Sequence, residues 1–141
     1  MVLDTSVLLH IFFEEPGWET SVAYLMRQET RLVSAASLVE AQAVIAGRTE
    51  ADPMNLLTVL VRDLDLEIAA LTAAQADVAR RAYCRFGKGQ GHPARLNYGD
   101  VMGYALASDR GERLAFVGDD FHHTDVDVVR LPVGGDASSP R

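Results

Sequence analysis

Short apolar runs alternate with longer stretches of helical spacing along this chain, and that alternation leaves few architectures open. Val2 and Leu3 begin an apolar run that Asp4 ends, and a helical stretch from Ser6 to Phe13 follows until Glu14-Glu15-Pro16-Gly17 stops it. Glu19 to Gln28 places Val22, Leu25 and Met26 on one helical face. Arg31 to Ser34 reads as a short strand, and either Ser34 or Ser37 can cap a helix that runs through Glu40 to about Gly47. Asp52-Pro53 has the form of a cap followed by proline at the first helical position, opening a helix to about Arg62. Leu66 to Leu71 is a strand candidate, and Thr72 caps a helix reaching Arg85. The segment FGKGQGHPARLN, Phe86 to Asn97, is a loop by its glycines and proline. Tyr98 to Ser108 is helical and Gly111 ends it, after which Leu114 to Val117 and Val126 to Leu131 are further strand candidates. This pattern predicts an α/β fold with a mainly parallel sheet flanked by helices.

A chain of 141 residues suits one domain with one sizeable core, and neither a repeat nor a linker divides it. The domain is expected over 1–132, with a disordered tail at 133–141. With 48% hydrophobic and 23% charged residues the composition is globular, and no apolar run approaches the roughly 18 residues of a membrane span. The opening segment lacks a basic stretch and carries Asp4 inside its apolar run, which argues against a signal peptide and for the cytosol. The lone Cys84 reads as a small apolar residue on a helix.

Charge is segregated. From Val78 to Gly99 no acid occurs while Arg80, Arg81, Arg85, Lys88 and Arg95 carry +5, so the rest of the chain holds -12 of the total of -7. The net charge argues against binding nucleic acid by bulk positive charge, whereas the basic segment can grip a phosphate chain locally, with Arg85, Lys88 and Arg95 as its contacts.

Ligands of open α/β sheets bind outside the carboxyl ends of strands. Asp4 directly follows the first strand, Asp119 follows the strand that ends near Val117, and Glu40 and Asp100 lie in the first turns of helices. Carboxylates gathered there repel one another unless a cation neutralises them or some keep their protons. Oxygen-only ligands suit Mg²⁺ or Mn²⁺, and such a site serves phosphodiester hydrolysis with water as the attacking group. Other groupings are weaker: His122 and His123 are adjacent and project apart, and the Gly87, Lys88, Gly89, Gly91 loop lacks the phosphate-loop pattern. An aspartyl-phosphate enzyme built on Asp4-Thr5-Ser6 would have Lys88 as its one available lysine.

Four segments together resemble PIN-domain nucleases of the VapC toxin family: Met1 to Ser6, Ser34 to Glu40, Leu96 to Asp100, and Phe116 to Phe121 with Thr124-Asp125 beyond it. The resemblance spans about residues 1 to 132 and implies a three-layer fold with a parallel five-stranded sheet. It also implies a divalent-metal endoribonuclease, the toxin of a type II toxin-antitoxin system, with tRNA as a plausible substrate. It carries Asp4, Glu40 and Asp100 onto matching acids, with Thr5, Ser6 and Asn97 as hydrogen-bonding supports. Asp119 is preferred as the fourth acid because it lies nearer the strand end, with Asp120 beside it. A small VapB-like antitoxin and a toxin homodimer are implied partners. The alternative is a PIN-like module that binds RNA or protein without chemistry. The first helix, apolar on several faces from Val7 to Phe13 and followed by Trp18, is expected to join a protein interface.

Overall fold

The computed structural model describes residues 1–50 and 52–134. The elements in chain order are β1 (Val2–Leu3), α1 (Thr5–Phe12), α2 (Trp18–Leu25), β2 (Leu32–Ser34), α3 (Ala35–Ala46), α4 (Pro53–Asp63), β3 (Glu67–Ala69), α5 (Ala73–Phe86), α6 (Asp100–Arg110), β4 (Leu114–Phe116) and β5 (Val128–Arg130). A one-turn 3₁₀ helix, Asp120–His123, lies between the last two strands. Of the tail expected to be disordered, residues 135–141 lie outside the described residues, while the backbone N–H of Gly134 donates to Pro16 at 2.6 Å.

Local chemistry sets the helix starts. Asp4, Ser34, Asp52 and Thr72 each accept a hydrogen bond from a backbone N–H of the helix that follows, satisfying donors the helix itself leaves unpaired. Ser34 rather than Ser37 therefore caps α3.

All five strands pair in parallel, in the order β3-β2-β1-β4-β5. Successive side chains of a strand face opposite sides, so one strand feeds two cores. Val2, Leu32, Leu114 and Phe116 meet α5 and α6 on one face. Leu3, Val33 and Ala115 meet α1, α3 and α4 on the other. This is a three-layer α/β/α arrangement with both sheet faces covered, as all-parallel sheets require.

Two readings are refined in detail. Val7, Leu8 and Ile11 of the first helix are buried, and Phe12, Phe13 and Trp18 pack partly buried against the same core. The exposed large apolar side chains lie elsewhere, among them Val39, Met54, Leu56 and Ile68 on α3, α4 and β3, because α1 is covered by α2 and α3. Cys84 is exposed on α5 rather than packed. Among the described residues, no helix is long and apolar enough to cross a membrane.

Candidate active site

The strand order places a topological switch between β1 and β4. From β1 the chain winds outward through β2 and β3 on one side and through β4 and β5 on the other, and in such sheets the carboxyl ends at the switch, here of β1 and β4, are where ligands bind. Asp4 stands there as the first residue beyond β1, 2% exposed. Its Oδ2 accepts from the Ser6 N–H at 2.9 Å, whereas Oδ1 is buried with no hydrogen-bond partner among the described residues. Burial pushes its carboxyl up to about 6 against the opposing hydrogen bonds from Ser6. The Ser6 hydroxyl accepts from the Val117 N–H at 3.1 Å, tying the β1–α1 turn to the segment after β4.

Asp100 is held by a reciprocal pair of bonds. The Asn97 N–H donates to Asp100 Oδ2 at 2.7 Å, and the Asp100 N–H donates to Asn97 Oδ1 at 2.9 Å, the same logic as a capping box. Burial is the main cause that raises the Asp100 carboxyl to about 7, followed by the charge of Asp4, with Asp120 and Glu40 adding to it and the Asn97 N–H opposing. Glu40 is half-buried one turn into α3, where the Thr5 hydroxyl donates to its Oε2 at 2.7 Å.

Two glycines make the convergence possible. A methyl group on Gly99 would overlap the Glu40 carboxylate, so the absence of a side chain lets the backbone entering α6 lie against α3. A methyl on Gly103, one turn further along α6, would stand 3.3 Å from Asp4 Oδ1. A glycine inside a helix destabilises it by about 1 kcal/mol relative to alanine, and here it gives the helix close approach to β1. Neither glycine stood out in the sequence, although Gly99 lies inside one of the recognised segments.

Residues 1–127 match the family described as PIN domain. The chain belongs to that family. Among curated relatives of this PIN-domain chain, ribonuclease VapC42 of Mycobacterium tuberculosis is 41% identical over 126 residues, covering 89% of this chain and 96% of the relative. Ribonuclease VapC30 of the same organism is 41% identical over 132 residues, covering 94% and 100%. Solved structures share the fold at lower identity. VapBC2 of Rickettsia felis, bound to a promoter DNA fragment, aligns with a TM-score of 0.74 at 14% identity, covering 93% of this chain and 98% of that one. VapC20 of Mycobacterium tuberculosis, described as a sarcin-ricin loop cleaving toxin, aligns with a TM-score of 0.64 at 15% identity, covering 89% and 98%. The five-stranded parallel PIN architecture expected from the sequence is therefore the one observed.

Within the PIN domain the structure brings Asp4, Glu40 and Asp100 to one crevice and divides the Asp119-Asp120 doublet. Asp119, the preferred fourth acid, is 80% exposed and pairs with Arg130 at 3.1 Å. Asp120, which opens the 3₁₀ turn, is the member whose charge acts on Asp100. The expected RNA contacts also differ among themselves. Arg85 is engaged by Asp125 at 2.9 Å and lies over the Phe86 ring, while Lys88 and Arg95 are exposed on the loop. Asp125 also accepts from the Tyr104 hydroxyl at 2.5 Å, which joins α5, α6 and the segment before β5. That hydrogen bond is the first cause lowering the Asp125 carboxyl. His122 and His123 are exposed, with the His122 ring edge-on to Phe116.

The acids fit a hard divalent cation in donor type and in charge. Two buried carboxyls hold their protons unusually well, and one buried oxygen of Asp4 has nothing to bind. Among the described residues no three His, Cys, Asp or Glu side chains are grouped closely enough to enclose an ion by themselves. Mg²⁺ does not need such a cage, since it is commonly held by one or two carboxylates together with waters and substrate phosphates.

Proposed function

We propose that this PIN-domain chain is a Mg²⁺-dependent endoribonuclease, with Mn²⁺ able to substitute, and the toxin half of a toxin-antitoxin pair. Its similarity to proteins named ribonuclease supports the reaction class, and similarity to VapBC assemblies supports the partner. The observation that carries the reading is the buried pair Asp4 and Asp100, which share one crevice with an unpartnered Asp4 oxygen facing no donor. A cation is the simplest group that satisfies both the charge and the unpaired acceptor.

In this reading Asp4 and Asp100 hold the ion, with Glu40 and Asp120 at its margin. Asp120 rather than Asp119 serves as the fourth acid, since Asp119 is taken by Arg130. The bound ion supplies stabilisation of charge on the scissile phosphate and lowers the pKa of water. The chain's own residues do the positioning. Ser6 and Asn97 fix the two buried carboxylates, Thr5 fixes Glu40, and burial removes the water that would weaken every charge in the crevice. Lys88 and Arg95 receive the RNA backbone, and tRNA is the substrate class that the family likeness favours. A VapB-like antitoxin and a second copy of the chain, in the cytosol, use the exposed apolar faces of α4 and β3, with Met54, Leu56 and Ile68.

The test incubates the purified protein with structured and unstructured RNA, with Mg²⁺, with Mn²⁺ and with chelator. Ion-dependent internal cleavage is the expected result. Binding without cleavage under every condition would assign the chain to the silent-module class instead. Phosphate release from a small ester would assign it to the aspartyl-phosphate class, although Asp4 is buried and Lys88 lies exposed on the loop.

A further inference from the structure

A largely apolar cleft adjoins the acids, sharing Glu40 and the Asn97 that holds Asp100. It has a volume of about 590 Å³ and is walled by Ala36, Val39, Ala43, Tyr98 and Met102, with the Glu40 carboxylate at its edge. Tyr98 is 77% exposed although it lies two residues before the buried Asp100. Tyr98 and Met102 also line a second cleft of about 470 Å³ between α5 and α6, where Tyr83 and Arg80 are found, the latter highly exposed and paired with Asp77 at 3.2 Å. The tyrosine thus lines two clefts, one bordered by Glu40 and one by Arg80.

We propose that Tyr98, which lines both clefts together with Met102, is the platform of a nucleobase subsite. An unpaired base of the RNA stacks on its ring in the Glu40-side cleft, which sets the adjoining phosphate at the Asp4 and Asp100 carboxylates. A flanking phosphate meets Arg80 in the second cleft. The inference rests on the ribonuclease reading and adds to it a strand-state requirement and a positioning residue.

Size, chemistry and rigidity agree. The cleft lies within the range of volumes that hold a small organic ligand, and its apolar walls with few polar groups suit a flat base. Stacking on aromatic side chains is how proteins take hold of unpaired bases without demanding one sequence, because every base has a π-face. The reciprocal Asn97 and Asp100 bonds bracket Tyr98, so its backbone is fixed relative to the acid it serves. A base within a duplex cannot reach such a platform, so the target is a loop or a single strand. Arg80 in the neighbouring cleft and Glu40 at the mouth favour a phosphate chain approaching a cation site over an apolar polypeptide.

The test measures short single-stranded oligoribonucleotides by fluorescence anisotropy on the Asp100→Asn protein, which keeps the RNA intact. Adding Tyr98→Ala is expected to weaken binding by roughly five-fold to a hundred-fold, the range for removing one stacked base, and Tyr98→Phe to restore it. One abasic position in the RNA should erase the difference between the proteins with and without Tyr98→Ala, because the base that stacks is already missing. In the cleaving protein, Tyr98→Ala should raise KM far more than it lowers kcat, as expected for an interaction present both before and during reaction. Equal affinity of the Tyr98 and Tyr98→Ala proteins for every oligonucleotide would overturn the proposal. So would loss of self-association or of antitoxin binding in Tyr98→Ala with RNA affinity intact, which would make the cleft a protein surface. Tyr98-dependent binding in a protein that cleaves no RNA would uphold the subsite and sink the ribonuclease reading; Tyr98-independent cleavage would do the reverse.

Discussion

Buried beside each other, Asp4 and Asp100 keep their protons at pH values where ordinary carboxyls have lost them, up to about 6 and about 7 against a usual 3.8. Folded-state values above the unfolded ones mean that the metal-free fold is favoured by protonation. That contribution is full below about pH 4 and is lost as pH rises through the two folded values, a difference on the order of a few kcal/mol. Urea melts in chelator should therefore show the native chain losing stability from pH 4 to pH 7.5, and Asp100→Asn losing clearly less. An identical pH dependence for the two proteins would contradict the burial argument. Gly99→Ala is expected to leave the thermal midpoint within a few degrees while cutting RNA cleavage at least about ten-fold, since the added methyl displaces the end of a flexible Glu40 side chain rather than backbone. A drop in stability with full activity per folded molecule would show that Glu40 was not the group disturbed. At this scale the placement of Asp4, Glu40 and Asp100 near one another was legible because strand ends and early helical turns can be located from pattern alone. The different surroundings of Asp119 and Asp120 were not, because the alternation of apolar and helical segments does not reveal a 3₁₀ turn beginning between neighbouring carboxylates. Nor could pattern show Gly99 against Glu40, a contact across distant segments.

Elements followed the sequence most closely where a side chain caps them. Asp52-Pro53 and Thr72 begin α4 and α5 as read, since capping is chemistry within one turn. Strand lengths were overread elsewhere: Leu66 to Leu71 pairs over Glu67–Ala69 alone and Val126 to Leu131 over Val128–Arg130, because tertiary neighbours and not propensity decide where a ladder stops. Arg31 was read as the opening residue of a strand and is instead a buried clamp. Its guanidinium donates to the carbonyls of Leu64 at 2.6 Å, Gln28 at 2.7 Å and Leu25 at 3.3 Å, and pairs with Asp65 at 3.2 Å. It fastens the ends of α2 and α4 to the start of β2. Arg31→Met should destabilise the fold by roughly 2 to 4 kcal/mol, because carbonyls would be left buried without donors. Urea denaturation would check this, and a loss below about 0.5 kcal/mol would show that water replaces the clamp. Part of the apolar surplus read on the first helix goes into the core, since a helix apolar on several faces can lie between layers, while Phe12, Phe13 and Trp18 stay partly exposed.

The whole molecule separates a basic segment from an acidic remainder, and both halves of that division are visible in the sequence. The fold puts the basic loop directly before the helix that carries Asp100. Reversing Lys88 and Arg95 together should weaken RNA affinity and reduce the dependence of log K on log salt by about 0.7 for each single-strand phosphate no longer neutralised. An unchanged slope, measured by titration across salt concentrations, would remove the loop from the RNA path. Arg85 is a poorer probe, because its reversal would also break the ion pair with Asp125. The central claim is that the buried carboxylates form a cation site required for chemistry and dispensable for folding. Its most direct test is the thermal midpoint at pH 8 of the native chain and of Asp100→Asn, each in chelator and in excess Mg²⁺. A ligand that binds only the folded state raises its stability by mass action, so the native chain should gain several degrees from Mg²⁺. Asp100→Asn should start as stable in chelator, or slightly more so, and gain much less. A native chain indifferent to Mg²⁺, together with an Asp100→Asn protein that unfolds in chelator, would make Asp100 a structural cap and contradict the account.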